Sequence, residues 1–219
     1  MKKRTIKHNL DVFKSEDFLK ECLEKTNDEY RVVDPGSYLY RELCEPTTPS
    51  NLNDKYIELI YVTLCSWNMN SRSAKLQEFD VFKQSLLQYS KEIDSLRNVT
   101  IEKWNNEISE KVKNLFMNLN LVATGKPLLV TFSKTMHFIL PDLIVPIDRK
   151  YTLNYFFESH YIPDSKEGQY KIIDMLQKEF SLFASSVTLS QYLNENWNLS
   201  RTKIMDNMII GCQKLQKKE

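Results

Sequence analysis

The sequence predicts an all-α fold, a single globular domain over residues 1–219 built from about eight helices. Three observations carry that expectation. Only 4 glycines and 7 prolines punctuate 219 residues, too few for the turns of a hairpin or sandwich architecture. Apolar residues recur at steps of three and four rather than two. Finally, 42% hydrophobic and 11% aromatic residues are enough to fill one continuous core.

The elements follow in order. Phe18, Leu19, Cys22 and Leu23 place one stripe on a first helix. Residues Val32 to Asn53, containing Asp34-Pro35-Gly36 and then Pro46 and Pro49, read as an irregular surface connection inside the domain. Tyr56, Ile57, Ile60, Tyr61, Leu64 and Cys65 form the next stripe, and Phe79, Phe82, Leu86, Leu87 and Tyr89 another. Ile101, Trp104, Ile108, Val112, Leu115, Phe116 and Leu119 all fall on one face of a helix about 30 Å long. Further helices are expected over Leu128 to Leu140, Asp148 to Ser159, Ser165 to Ser186 and Ser200 to Lys217; Asp148 and Ser200 are the better cap candidates, since Ser165 has Gly168 where a capping box would want Glu.

Charge excludes a global field. Thirty basic and 29 acidic residues leave a net charge of +1, so any polyanion site must be local. Basic residues gather in two terminal tails, Lys2, Lys3, Arg4 and Lys7 at one end and Lys214, Lys217 and Lys218 at the other. The four cysteines, Cys22, Cys44, Cys65 and Cys212, form no C-x-x-C pair and read as reduced, mostly buried thiols. With neither a signal peptide nor a membrane span in evidence, a cytoplasmic location is expected. His8, His137 and His160 are too dispersed for a zinc site, and Gly36, Gly125, Gly168 and Gly211 stand singly, so neither a metal nor a nucleotide cofactor is expected.

The segment that points to chemistry runs from Ser133 to Thr152, SKTMHFILPDLIVPIDRKYT. Pro141 and Pro146 end the preceding helix and stiffen the turn that follows it. Asp148 then stands at a helix N-cap, where free amides favour its ionised form. Arg149 and Lys150 come directly after it, against the helix dipole, a placement that an anionic partner such as a phosphate would offset. Lys134 and His137 share a face of the preceding helix. Flanked by Met136 and Phe138, His137 reads as a satisfied residue rather than a base.

Two resemblances attach to these residues. Pro146-Ile147-Asp148 is similar to the segment of the helix-hairpin-helix DNA glycosylases in which a V-D-T-H-V type sequence sets an essential aspartate at a helix start. That resemblance spans Thr124 to Tyr151 and implies that Asp148 is the acid that stabilises a developing oxocarbenium or activates the nucleophile. Arg149 and Lys150 stand where the family has threonine and histidine. Where the family has its glycine-rich hairpin this chain has only Val122-Ala123-Thr124-Gly125-Lys126 with its single glycine, and Lys126 or Lys134 stands for a lyase lysine only if the intervening helix is redrawn. The order Ser133-Lys134, His137, Pro141, Pro146, Asp148-Arg149 also resembles a stretch in uncharacterised bacterial proteins of similar size, a likeness that implies no activity.

One further loop suits nucleic acid. Trp67 to Lys75 carries two amides, an aromatic and two cations, and within it Trp67 can stack on a base while Arg72 pairs with phosphate. Ser200-Arg201-Thr202-Lys203 fits the S-x-x-K of penicillin-recognising enzymes, but its S-D-N and K-T-G companions are missing, which leaves Ser200 as a cap. The function expected is that of a DNA-associated protein of glycosylase-like architecture. Asp148 is its candidate catalytic acid, Lys134 a second catalytic candidate, and Trp67, Arg72, Arg149 and Lys150 the contacts to duplex DNA. The alternative is a non-enzymatic helical binding or assembly protein in which residues 133–152 are purely structural.

Overall fold

The fold is that of a computed structural model that describes residues 5–28, 35–44, 52–67, 69, 75–194 and 196–216. Among the described residues it is all-α with no strand; a lone antiparallel bridge joins Leu76 and Val122. The α-helices are α1 (Glu16–Asn27), α2 (Pro35–Cys44), α3 (Asp54–Ser66), α4 (Phe79–Gln88), α5 (Ser90–Asp94), α6 (Asn106–Asn118), α7 (Leu129–Ile139), α8 (Asn154–Phe157), α9 (Lys166–Ala184) and α10 (Arg201–Leu215). One buried cluster extends from Leu10 to Cys212, so the helices share a single core. No helix among the described residues is long and apolar enough to cross a membrane.

Four of the ten α-helices start on a side-chain cap among the described residues. Asn53, Asn105, Ser165 and Ser200 accept from the amides of Tyr56, Ile108, Gly168 and Lys203, each satisfying a donor that the helix leaves open. Asn105 corrects the long helix expected from Ile101 to Leu119. Its cap starts α6 afresh, and Ile101 to Lys103 form a separate 3-10 turn. The apolar spacing persists across the break, since Ile101 and Trp104 are both buried.

A second difference lies in the stretch read as irregular between Val32 and Asn53, of which residues 35–44 are helix α2. Pro35 is its first residue, where a missing amide costs nothing and the fixed φ favours the helix. Tyr40 and Leu43 give it a buried face. Asp34, Pro46 and Pro49 lie outside the described residues, as do Lys2, Lys3, Arg4, Lys217 and Lys218 of the tails. None of the four cysteines is in a disulfide; Cys22 and Cys212 are buried and Cys44 and Cys65 partly so.

Helix α7 sits at the centre of the fold. All of its residues except Lys134 are buried. Its first amides have no cap of their own; Gln169 Oε1, reaching from α9, accepts from Leu128 and Leu129 at 2.8 and 3.0 Å. The chain that leaves α7 stays inside: Leu143, Ile144, Val145 and Ile147 are fully buried without being helical. Buried backbone needs partners, and here side chains supply them. Gln177 on α9 donates to Val145 O at 3.1 Å and accepts from Val145 N at 3.3 Å, as a neighbouring strand would. Ser133 Oγ accepts from Ile147 N at 3.0 Å, His137 Nδ1 donates to Ile144 O at 2.9 Å, and Thr202 Oγ1 donates to Pro141 O.

Helices α1 and α10 cross so closely that a Cβ on Gly211 would stand 1.8 Å from the Cys22 carbonyl oxygen. Thr26 Oγ1 fixes the same crossing by donating to Asn207 O at 2.7 Å.

Two substitutions test these contacts. Gly211→Ala must push α1 off α10, and urea unfolding is expected to show a loss of about 2 kcal/mol or more. Gln177→Leu leaves both polar groups of Val145 buried and unpaired. It is expected to cost roughly 2–4 kcal/mol in the same assay, while an exposed Gln88→Leu control changes it by less than about 0.5 kcal/mol.

Candidate functional site

A cavity of about 300 Å³ opens where α7, α10 and the turn after Ile147 meet. Its polar wall is made by Lys134, Asp148, Lys203 and Asp206, two cations against two anions, and its aromatic wall by Trp67, Trp197 and Tyr151. Exposure falls from the mouth inward: the side chains of Asp148 and Lys134 are 32% and 13% accessible, those of Asp206 and Lys203 7% and 3%.

Asp148 is held on both sides of its backbone. Its Oδ1 accepts from Lys150 N at 2.7 Å and Tyr151 N at 3.2 Å, while its own amide donates to Thr152 Oγ1 at 3.1 Å. The expected helix over Asp148 to Ser159 begins as a π-helical turn, Arg149–Leu153, and ends at Phe157, where Glu158 takes a left-handed φ of 50°. The wider π turn comes from Leu153 N donating to Asp148 O at 2.9 Å.

Capping uses only one carboxylate oxygen. The other, Oδ2, faces Lys134 Nζ at 3.6 Å, just beyond hydrogen-bond distance. Lys134 is the one residue of α7 that reaches the surface, and its ammonium also lies 5.3 Å from the ring of Trp67.

The inner end is a buried ion pair inside aromatic rings. Lys203 Nζ is 2.5 Å from Asp206 Oδ2 and lies 4.7, 5.8 and 5.9 Å from the rings of Trp197, Trp67 and Tyr40. Asn194 Oδ1 holds Trp197 in place by accepting from the amides of Asn196, Trp197 and Asn198. Ser200 Oγ caps α10 through Lys203 N, so the S-x-x-K pattern is a helix start.

His137 lies behind this cluster, fully buried and stacked on Tyr40 at 5.7 Å. Burial pushes the Tyr40 hydroxyl well above its usual pKa, so it stays protonated and donates to His137 Nε2 at 2.8 Å. Burial first, and then the charge of Lys203, lower the pKa of His137 to about 3, partly offset by the Ile144 carbonyl. The imidazole is therefore neutral and structural.

Of the residues expected to form a site, Asp148, Lys134 and Trp67 meet in this cavity. Lys150 is exposed beside it, its Nζ 4.9 Å from the Tyr151 ring. Arg149 turns the other way. Its Nε donates to His160 O at 3.0 Å, and its side chain lines a separate groove of about 690 Å³ with Lys126 and Lys166. Val122 to Lys126, the stretch aligned with the glycosylase hairpin, form a turn on that same groove, with Gly125 at φ 74°. Arg72 lies outside the described residues.

Sequence reading did not assign Trp197, Lys203, Asp206 or Tyr151 to a site. The available signal was Lys203 and Asp206, opposite charges three apart in a helix most of whose residues are apolar or buried. Among the described residues no three of His, Cys, Asp and Glu cluster to hold a metal ion. No family model, curated protein or solved structure matches this chain.

A neutral buried histidine makes stability depend on pH. The unfolded chain binds a proton at His137 below about pH 6.5, whereas the folded chain binds it only below about pH 3. Stability contributed by this residue is thus present above pH 6.5 and falls as pH drops toward 3. Between pH 6.5 and 4.5 the loss is expected to be about 2 kcal/mol larger in the natural chain than in His137→Gln, read from urea unfolding at each pH.

Proposed function

We propose that the cavity takes a nucleobase turned out of DNA and that Lys134 and Asp148 act on its glycosidic bond. One observation supports this above the rest: a lysine amine outside hydrogen-bond distance faces the uncapped oxygen of a fixed carboxylate, at the mouth of a cavity walled by two tryptophans. An extruded base needs aromatic surface to stack on and polar groups to meet its edge, and a sugar at the mouth then lies beside the reactive pair. Asp148 oriented by its cap matches the role that the glycosylase resemblance implies.

Lys134 Nζ gives a proton to Asp148 Oδ2 and attacks the sugar C1′. The C1′–N bond breaks, and its electron pair leaves with the base, which takes a proton from solvent. The C1′ amine adduct opens to an imine. Lys150 beside the mouth supplies a cation for the phosphate backbone, and Arg72 a second. This reading places the protein on DNA in the cytoplasm.

The purely structural alternative rests on the capping role of Asp148 Oδ1. On that alternative Oδ2 and Lys134, the only residue of α7 that leaves the core, form a partly exposed ion pair at 3.6 Å, and Lys134 rests on the Trp67 ring.

The test uses duplexes that carry uracil, hypoxanthine, 8-oxoguanine, an alkylated purine or an abasic site, with borohydride present. Base release and a reduced protein–DNA adduct are expected. Asp148→Asn lowers release about a hundredfold or more, and Lys134→Met abolishes the adduct. No release from any duplex, together with no adduct on the abasic one, contradicts the reading.

A further inference from the structure

The ion pair at the inner end of the cavity does not explain itself by stability. Burying Lys203 and Asp206 removes two charges from water, and a pair of this kind contributes no more than apolar side chains of similar size would. Nor does it cap a helix or join two elements, because both residues stand in α10, three apart. Its hydrogen bonding is also incomplete. Lys203 Nζ has three donors and gives one to Asp206 Oδ2; its other neighbours are ring faces. Among the described residues, Asp206 Oδ1 accepts no hydrogen bond. Both residues line the cavity, which leaves a donor and an acceptor side by side on a nearly dry surface.

We infer that Lys203 and Asp206 read the edge of the ligand ring and select a lactam, a carbonyl adjacent to a ring N–H. The inference rests on the base-binding reading of the same cavity. An ammonium pairs more strongly with an exocyclic carbonyl oxygen than with a ring nitrogen, and a lactam N–H is a more acidic donor to a carboxylate than an exocyclic amino group. Guanine, hypoxanthine, uracil and thymine carry that edge; adenine and cytosine present a ring nitrogen beside an amino group. The amino-and-ring-nitrogen edge meets the same two charges with a weaker acceptor and a weaker donor, so it binds less tightly in a nearly dry site. Trp197 and Trp67, which already flank the Lys203 ammonium, supply the faces for the ring. With the base edge inward, its glycosidic nitrogen points toward the mouth, where Lys134 and Asp148 lie.

The experiment titrates the full chain with deoxyguanosine, deoxyinosine, deoxyuridine, deoxyadenosine and deoxycytidine, followed by tryptophan fluorescence and calorimetry. The three lactam nucleosides are expected to bind at least about tenfold tighter than the other two. N1-methyldeoxyguanosine and N3-methyldeoxyuridine, which lack the ring N–H, are expected to lose that advantage with the protein unaltered, so the result does not depend on a variant that folds. Lys203→Met and Asp206→Asn, checked by circular dichroism, should each remove the preference. Equal affinity for all five nucleosides, no binding of any, or unchanged binding of the methylated probes overturns the inference. Base release from duplex DNA in the face of any of these results sinks edge selection and leaves the enzyme; lactam preference without base release does the reverse.

Discussion

The buried backbone of residues 140–147 is the constraint on which the rest of the structure depends. A non-helical segment inside a core must find a partner for each amide and carbonyl, because an unpaired one costs about 1–3 kcal/mol. Among the described residues no strand lies beside it. Gln177, Ser133, His137 and Thr202 act in place of one, and they come from α7, α9 and α10. Three helices are thereby fixed relative to one segment, and so are the side chains they carry.

This arrangement makes the cavity a fixed object. Asp148 follows directly on a buried Ile147 whose amide is tied to Ser133, one residue before Lys134 on α7. The carboxylate and the amine are therefore set by the same hydrogen bond, from opposite ends. On the far side, His137 is tied to Ile144 and to Tyr40, and Tyr40 packs against Trp67 and Trp197. The aromatic wall and the acid thus share one framework. A neutral His137 also keeps a third positive charge away from Lys203, consistent with its low pKa beside that ammonium.

Much of the fold was legible in the sequence because burial writes itself as periodicity. The stripes at Phe18 to Leu23, Tyr56 to Cys65 and Phe79 to Tyr89 all lie within or at the end of helices α1, α3 and α4. The double-Pro turn and the cap at Asp148 followed from chain chemistry alone. What periodicity hid is equally physical. Ile101 and Trp104 keep the helical spacing across a break that a single asparagine creates, and Pro35 looks the same whether it opens a helix or a turn. The site was half legible. Lys134, Asp148 and Trp67 stood out as polar or aromatic residues near punctuation. Lys203 and Asp206 did not, since their meaning comes from Tyr40 and Trp67, far away along the chain. Arg149 stood beside Asp148 in sequence and faces another groove, because successive side chains of a helical turn diverge.

Native-state hydrogen exchange at Val145 and Ile147 tests the central claim most directly. Neither amide lies in a helix, yet each is bonded to a buried side chain. Both are expected to exchange only through global unfolding, with the same opening free energy as the amides of α7. Exchange of either at the low free energy of a surface loop contradicts the account, because Asp148 would then hang from a mobile segment and the cavity would have no fixed acid.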